Sequence, residues 1–282
     1  MLKIGGICGK IHLKGGDGMY NLLRSLLEDK KGGEVFTCFG LFHICVILFF
    51  AAVLAVLLVF LRRRPDRRAN TAKWLIGLAF GLYVADFFLM PLAYGYIDIE
   101  KLPFHACTAM CVLCFLSDRN AFLGRFRLSF ALLALVSNLV YLVYPAGVMW
   151  HQVHPASYRV LQTLGFHGVM SLYGFVVLCF ENPLQKHACR DLAVLIFMTL
   201  WALVGNTLYN GKAEGYDHFF NWFFVIRDPF YLLPEKIAPF LMPLINIAVF
   251  FGAEQLLCLP VKLVRKDFAH NKNKDNRRGE NV

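Results

Sequence analysis

A cysteine thiol attacks a carbonyl carbon only once a base has taken its proton, and histidine is the usual base near neutral pH. The chain holds such a combination in apolar surroundings. Cys107 follows Leu102-Pro103-Phe104-His105, and His167 stands in Phe166-His167-Gly168. Further polar side chains interrupt other apolar stretches: His43, Asp86, His105, Asn138, Asn206 and Asn246. Two other roles fit the cysteines. Cys107, Cys111 and Cys114 repeat at i, i+4, i+7 on one helical face, with His105 nearby. That set suits a soft metal but matches no closed zinc spacing. Cys111 and Cys114 also serve as small packing residues.

These groups must be positioned by membrane helices. Of the 282 residues, 58% are apolar or aromatic and 17% are charged, with a mean hydropathy of +0.53. Soluble domains run near 45–50% apolar and about 25% charged, so that class is excluded. A span needs roughly 17–25 apolar residues. The stretches 35–61, 74–94, 128–144, 160–180, 192–209 and 240–263 qualify, and 102–116 is a shorter seventh. The expected architecture is an all-α polytopic helix bundle with seven transmembrane helices, or six if 102–116 does not cross. The expected organisation is a polar N-terminal segment 1–34, a bundle 35–263 and a basic flexible tail 264–282.

A net charge of +10 suggests nucleic acid at first sight, but the basic residues sit between and after the apolar blocks, as the positive-inside rule requires. If the first span runs inward, the inner segments 62–73, 119–127, 186–190 and the tail from Lys262 hold 18 of the 29 Lys and Arg. The outer loops hold five and the N-terminal segment six. The tail is then cytoplasmic and the protein lies in the cell membrane. Counted along each helix from its outer end, the eight polar groups fall within about 5–12 Å of one face at 1.5 Å per residue. One shared layer suggests a wet cavity opening outward. The plainer alternative is that each group hydrogen-bonds a neighbouring helix and only joins the bundle.

In the N-terminal segment, Met19, Leu22, Leu23, Leu26 and Leu27 keep helical spacing behind Asp17, a candidate N-cap. This predicts an amphipathic helix on the membrane surface, or a lid. No cleavable signal peptide is expected, because residues 1–34 are polar and the first apolar block is too long for one. There is no Gly-rich phosphate loop, paired-carboxylate motif or G-x-S-x-G elbow. No cofactor or metal is expected, and nine cysteines lying mostly in apolar stretches do not form a disulfide framework.

At these residues the chain resembles the YwaF-like family of integral membrane proteins, over about residues 35–265. The motifs are Phe39-Gly40-x-x-His43 before an Arg-rich loop, Leu102-Pro103-Phe104-His105-x-Cys107, Tyr144-Pro145, Phe166-His167-Gly168 and Asn206. Asn221-Trp222-Phe223-Phe224 and Arg227-Asp228-Pro229 complete them. That family is related to a eukaryotic membrane acyltransferase of ether-phospholipid synthesis, in which a Cys opening span three and a His in span five are essential. The resemblance implies that Cys107 attacks a phospholipid ester, His167 shuttles the proton, and a lysophospholipid hydroxyl accepts the acyl chain. His43, His105 and Asn206 would then support His167 or the oxyanion, with phospholipids and lysophospholipids as partners and no nucleic acid.

The loop 210–239 is rich in Phe, Trp and Tyr, including Phe219, which suits the headgroup region. Within it Asn221 and Arg227 are candidate substrate contacts, Arg227 through a lipid phosphate. Alternatively, Arg227 pairs with Asp228 in a structural cap. The rival function is a non-enzymatic carrier or ligand-binding protein with the same polar cavity, although no repeat or pair of broken helices points to one.

Overall fold

The computed structural model describes residues 17–29, 33–94, 99–149, 151–180, 188–210 and 220–279. Among these residues ten α-helices follow in order: α1 Asp17–Leu27, α2 Leu41–Arg63, α3 Arg68–Tyr94, α4 Ala106–Ser117, α5 Ala121–Gly124, α6 Arg127–Val143, α7 Ala146–Met149, α8 Tyr158–Phe180, α9 Ala188–Tyr209 and α10 Ala238–Gly279. Among the described residues there is no strand. Among the described residues six helical segments, built on α2, α3, α6, α8, α9 and α10, are long and apolar enough to cross a membrane. The chain is therefore a multi-pass helical membrane protein.

The seventh expected span resolves into α4, only 12 residues long. At 1.5 Å per residue it reaches about 18 Å, short of a hydrocarbon core of about 30 Å. Residues 102–105 are not part of it. Pro103 pushes the residue before it out of the helical region, and His105, with an extended backbone, is the N-cap. The first span likewise starts at Leu41 rather than residue 35. The amide of Phe36 donates to Val153 O (2.8 Å), tying this stretch to the loop before α8, and Phe39 adopts a positive φ of 59°.

Burial ranks the helices. Over the most apolar 18 residues of each span, 83% lie buried in the span built on α8 and 61% in the span built on α6, Arg127–Met149, against 6% in that of α2. α8 and α6 pack on one another, and α3 and α4 close a ring of four in which α4 and α8 each touch both α3 and α6. α9 and α10 pack together, and both lean on α6. Small residues allow the close α6–α8 approach: a Cβ at Gly174 would stand 2.7 Å from Leu135 Cβ and 3.0 Å from Ala131 O. α2 lies at the rim against α8.

The amphipathic N-terminal helix exists, and it packs against α3 and α8. Leu27 is buried while Leu22 and Leu26 stay exposed. Just after it, Asp29 meets Arg159 at the start of α8, Oδ2 to Nε 3.2 Å, with both side chains largely buried. The N-terminal segment is thereby fastened to the end of the bundle where α4 and α8 begin. The last helix does not stop at the expected edge of the bundle, residue 263: its backbone stays helical through the basic tail to Gly279.

Candidate functional site

The start of α4 is clamped from the side. The Trp201 indole of α9 donates to Pro103 O (2.7 Å), and the Tyr83 hydroxyl of α3 donates to Lys101 O (2.9 Å). The Phe104 ring lies 5.1 Å from Trp201 and 4.9 Å from Trp222 between centroids, and it rests on Gly205. A Cβ at Gly205 would come within 2.4 Å of the ring, which the two tryptophans keep from moving aside. Gly205→Ala is therefore expected to destabilise the fold by about 1–3 kcal/mol, as overpacking does. A thermal-shift midpoint equal to that of the parent protein would contradict this packing.

Cys107 is the second residue of α4 and half-buried, with the backbone N–H groups of Cys107 and Thr108 beside its sulfur. The helix-start dipole there favours negative charge. Cys111 and Cys114, one and two turns further, are fully buried in the apolar core, and Cys114 meets the Tyr173 hydroxyl. Among the described residues no group of three or more His, Cys, Asp or Glu side chains could hold a metal ion.

His167 lies on α8 in the interior, its Nδ1 2.7 Å from Asn138 Oδ1 of α6. The tautomer follows from the next bond. Asn138 Nδ2 donates to Ala134 O (2.8 Å), an atom that can only accept, so the amide cannot be flipped. Asn138 Oδ1 must then accept, and His167 Nδ1 carries the proton. Nε2 is left with a lone pair and has no hydrogen bond among the described residues. The Tyr141 ring, one turn along α6 from Asn138, stacks on the imidazole at 4.1 Å and 21°.

Tyr141 lies within electrostatic range of Cys107, and His167 within that of His105 and Lys101. The Cys107 thiol and His167 Nε2 are not hydrogen-bonded to each other. A buried ion pair flanks them: Lys101 Nζ stands 2.9 Å from Asp86 Oδ2, and the Tyr158 hydroxyl also bonds Asp86. An apolar groove on α3, lined by Trp74, Gly77, Leu78, Gly81 and Leu82, is separate from this centre.

The remaining sequence candidates lie elsewhere. His43 has both ring nitrogens engaged: Nδ1 accepts from the Phe39 amide (3.0 Å) and Nε2 donates to Leu142 O (2.8 Å). It pins the start of α2 to the end of α6, and neither nitrogen is left for His167. Asn206 bonds the backbone of Trp222 through both amide atoms (3.0 and 3.2 Å), and Asn210 does the same for Phe220. One helical turn thus matches a step of two loop residues, and the two asparagines grip the loop as a ladder.

Asn221 stitches that loop, accepting from Ile226 and Arg227 amides (both 3.1 Å) and donating to Arg227 O (2.8 Å). These asparagines do structural work. Arg227 is on the exposed side of the loop. The expected aromatic Phe219 lies outside the described residues. The neighbours of His167 not singled out from the sequence are Asn138, seen there only as one of the polar layer, and Tyr141. Their i, i+3 spacing on one helical face was the available signal.

Asp228 closes the loop, accepting amides from Phe230 (2.8 Å), Leu232 (2.6 Å) and Leu233 (2.9 Å). The Phe230 amide chiefly, helped by those of Leu233 and Leu232, holds its carboxyl below the ordinary value of 3.8. A depressed carboxyl stabilises the loop while ionised. Its contribution is complete above that ordinary value and fades as pH falls through the lower folded one. Asp228→Ala should therefore speed protease cleavage within 228–233 from neutral pH down to about 5, where the parent loop stays closed. Equal cleavage of the two proteins would remove this role.

No protein-family model, curated protein or solved structure matches this chain. The fold and the site geometry therefore carry the functional reading.

Proposed function

We propose that the chain is a membrane-embedded acyltransferase, with Cys107 as nucleophile, His167 as base, and phospholipid and lysophospholipid as substrates. The observation that carries this reading is the fixed tautomer of His167. Asn138 holds the Nδ1 proton and leaves the Nε2 lone pair free in the interior where α4 begins. A Cys–His–Asn order of this kind is one of the recurring solutions to acyl transfer.

His167 Nε2 takes the thiol proton, and the sulfur forms a bond to the ester carbonyl carbon of a phospholipid. The negative charge that develops on the carbonyl oxygen is met by backbone N–H groups at the start of α4. Collapse breaks the C–O bond, the leaving lysophospholipid oxygen takes the proton from His167, and a Cys107 thioester remains. A second lysophospholipid hydroxyl gives its proton to His167, attacks the thioester and restores the thiol. Apo geometry without a Cys–His hydrogen bond is compatible with this sequence, since such contacts tighten in the substrate complex.

The motif order that resembles the YwaF-like family supports the same reading. The distribution of Lys and Arg supports an orientation with Cys107 toward the outer leaflet and the tail in the cytoplasm. The test is transfer of a labelled acyl chain from phospholipid to lysophospholipid by the purified protein. Transfer is expected in the parent protein and not in His167→Ala. Equal transfer by the two would remove His167 from the reaction.

A further inference from the structure

The half of the bundle away from Cys107 contains a buried acid that the acyl chemistry does not use. Glu254 on α10 is 1% exposed, and its Oε2 meets no hydrogen-bond donor. Thr199 on α9 is 4% exposed, and its Oγ1 is likewise unpartnered.

The register of α9 against α10 brings them to one level. Asn206 of α9 bonds the backbone of Trp222, and Asn246 of α10 donates to O of the next residue, Phe223 (2.6 Å). From these anchors Thr199 lies seven residues along one helix and Glu254 eight along the other, or about 10 and 12 Å by helical rise.

An ionised Glu254 would be an unpaired charge there. The acid within its electrostatic range is Asp191 of α9, which is like-charged. Other titratable groups on the helices packed against α10 in this half are Tyr173 and Cys179 on α8, Arg127 on α6, and Cys189 and Arg190 on α9. On α10 itself Cys258 lies one turn away. Arg127 is paired with Asp118, and Arg190 donates to Arg125 O (2.9 Å). The Trp222–Phe224 turn carries no titratable side chain.

We propose that Glu254 is a proton-binding site inside the membrane span, a carboxylic acid held neutral at the level of Thr199 and separate from the Cys107–His167 centre. The proton removes a charge that the bilayer core disfavours and that no donor at Glu254 Oε2 compensates. Losing the proton would place an unpaired negative charge in the span, within electrostatic range of Asp191, and weaken the packing of α9 on α10, so the fold should lose stability on the alkaline side.

The test uses the full chain in lipid micelles. Infrared difference spectra between the parent protein and Glu254→Gln are expected to show loss of a protonated-carboxyl C=O band at neutral pH. The hydrophobic reagent dicyclohexylcarbodiimide takes up the carboxyl proton and should leave an acylurea adduct on the Glu254 peptide. Glu254→Gln is nearly isosteric and uncharged, so its thermal midpoint should match the parent at neutral pH and exceed it at alkaline pH. Loss of an ionised-carboxylate band on substitution would overturn the proposal, as would parallel pH profiles of the two midpoints. Neither readout involves acyl transfer, so failure here leaves the Cys107–His167 reading standing, and the converse holds.

Discussion

Cys107→Ser is expected to lower acyl transfer to lysophospholipid on the order of 10³-fold or more, the scale of nucleophile loss in triad enzymes. Oxygen replaces sulfur with little change in volume, and Cys107 makes no side-chain hydrogen bond that folding depends on. The thermal midpoint should stay within the error of the parent. Cys111→Ser and Cys114→Ser should keep near-parental activity per folded molecule, because both lie in the apolar core beyond the start of the helix. Equal activity losses in all three, at equal stability, would point to a shared ligand site and away from a single nucleophile.

Asn138→Leu carries the second largest effect. Leucine fills a similar volume but offers no acceptor to His167 Nδ1, so the imidazole is free to place its proton on Nε2, where it cannot act as the base. Loss of a base-orienting group costs about 10²–10⁴-fold in comparable centres. Asn138→Asp keeps the acceptor and adds a negative charge, which raises the basicity of His167. Activity should largely return, with the acid limb of the pH–rate profile moved to higher pH. If the Asp and Leu variants lose activity equally and show the same pH profile, Asn138 serves only packing.

The membrane class and the positions of the six long spans could be read from the lengths of the apolar blocks alone. The ends could not. Leu102 looks like part of a span by hydropathy, but Pro103 and the Trp201 bond to its carbonyl hold the chain in a turn outside the helix until His105. Residues 35–40 are apolar too, yet they are held by a backbone bond to Val153, a contact no local pattern announces.

The polar layer was legible as a set of depths, because helical rise converts sequence position into distance along an axis. Which members meet depends on rotation and neighbours. His43, Asn206 and Asn246 face backbone groups of loops and helix ends and are satisfied there. Among the described residues Asn138 is the member that hydrogen-bonds His167. The asparagines of 206, 210 and 221 illustrate the limit well. A buried Asn beside aromatic residues reads equally as a ligand contact or as a clamp for an irregular loop, and only the bonds to Phe220, Trp222 and Arg227 decide it.

The most direct measurement is the covalent state of Cys107 during turnover. Purified protein is incubated with phospholipid labelled in its acyl chain, stripped of free lipid and digested. The predicted result is label on the peptide that contains Cys107, released by neutral hydroxylamine and absent from Cys107→Ser. Acyl transfer to lysophospholipid at the parental rate in Cys107→Ser, with no hydroxylamine-sensitive label on the parent protein, would contradict a thioester intermediate.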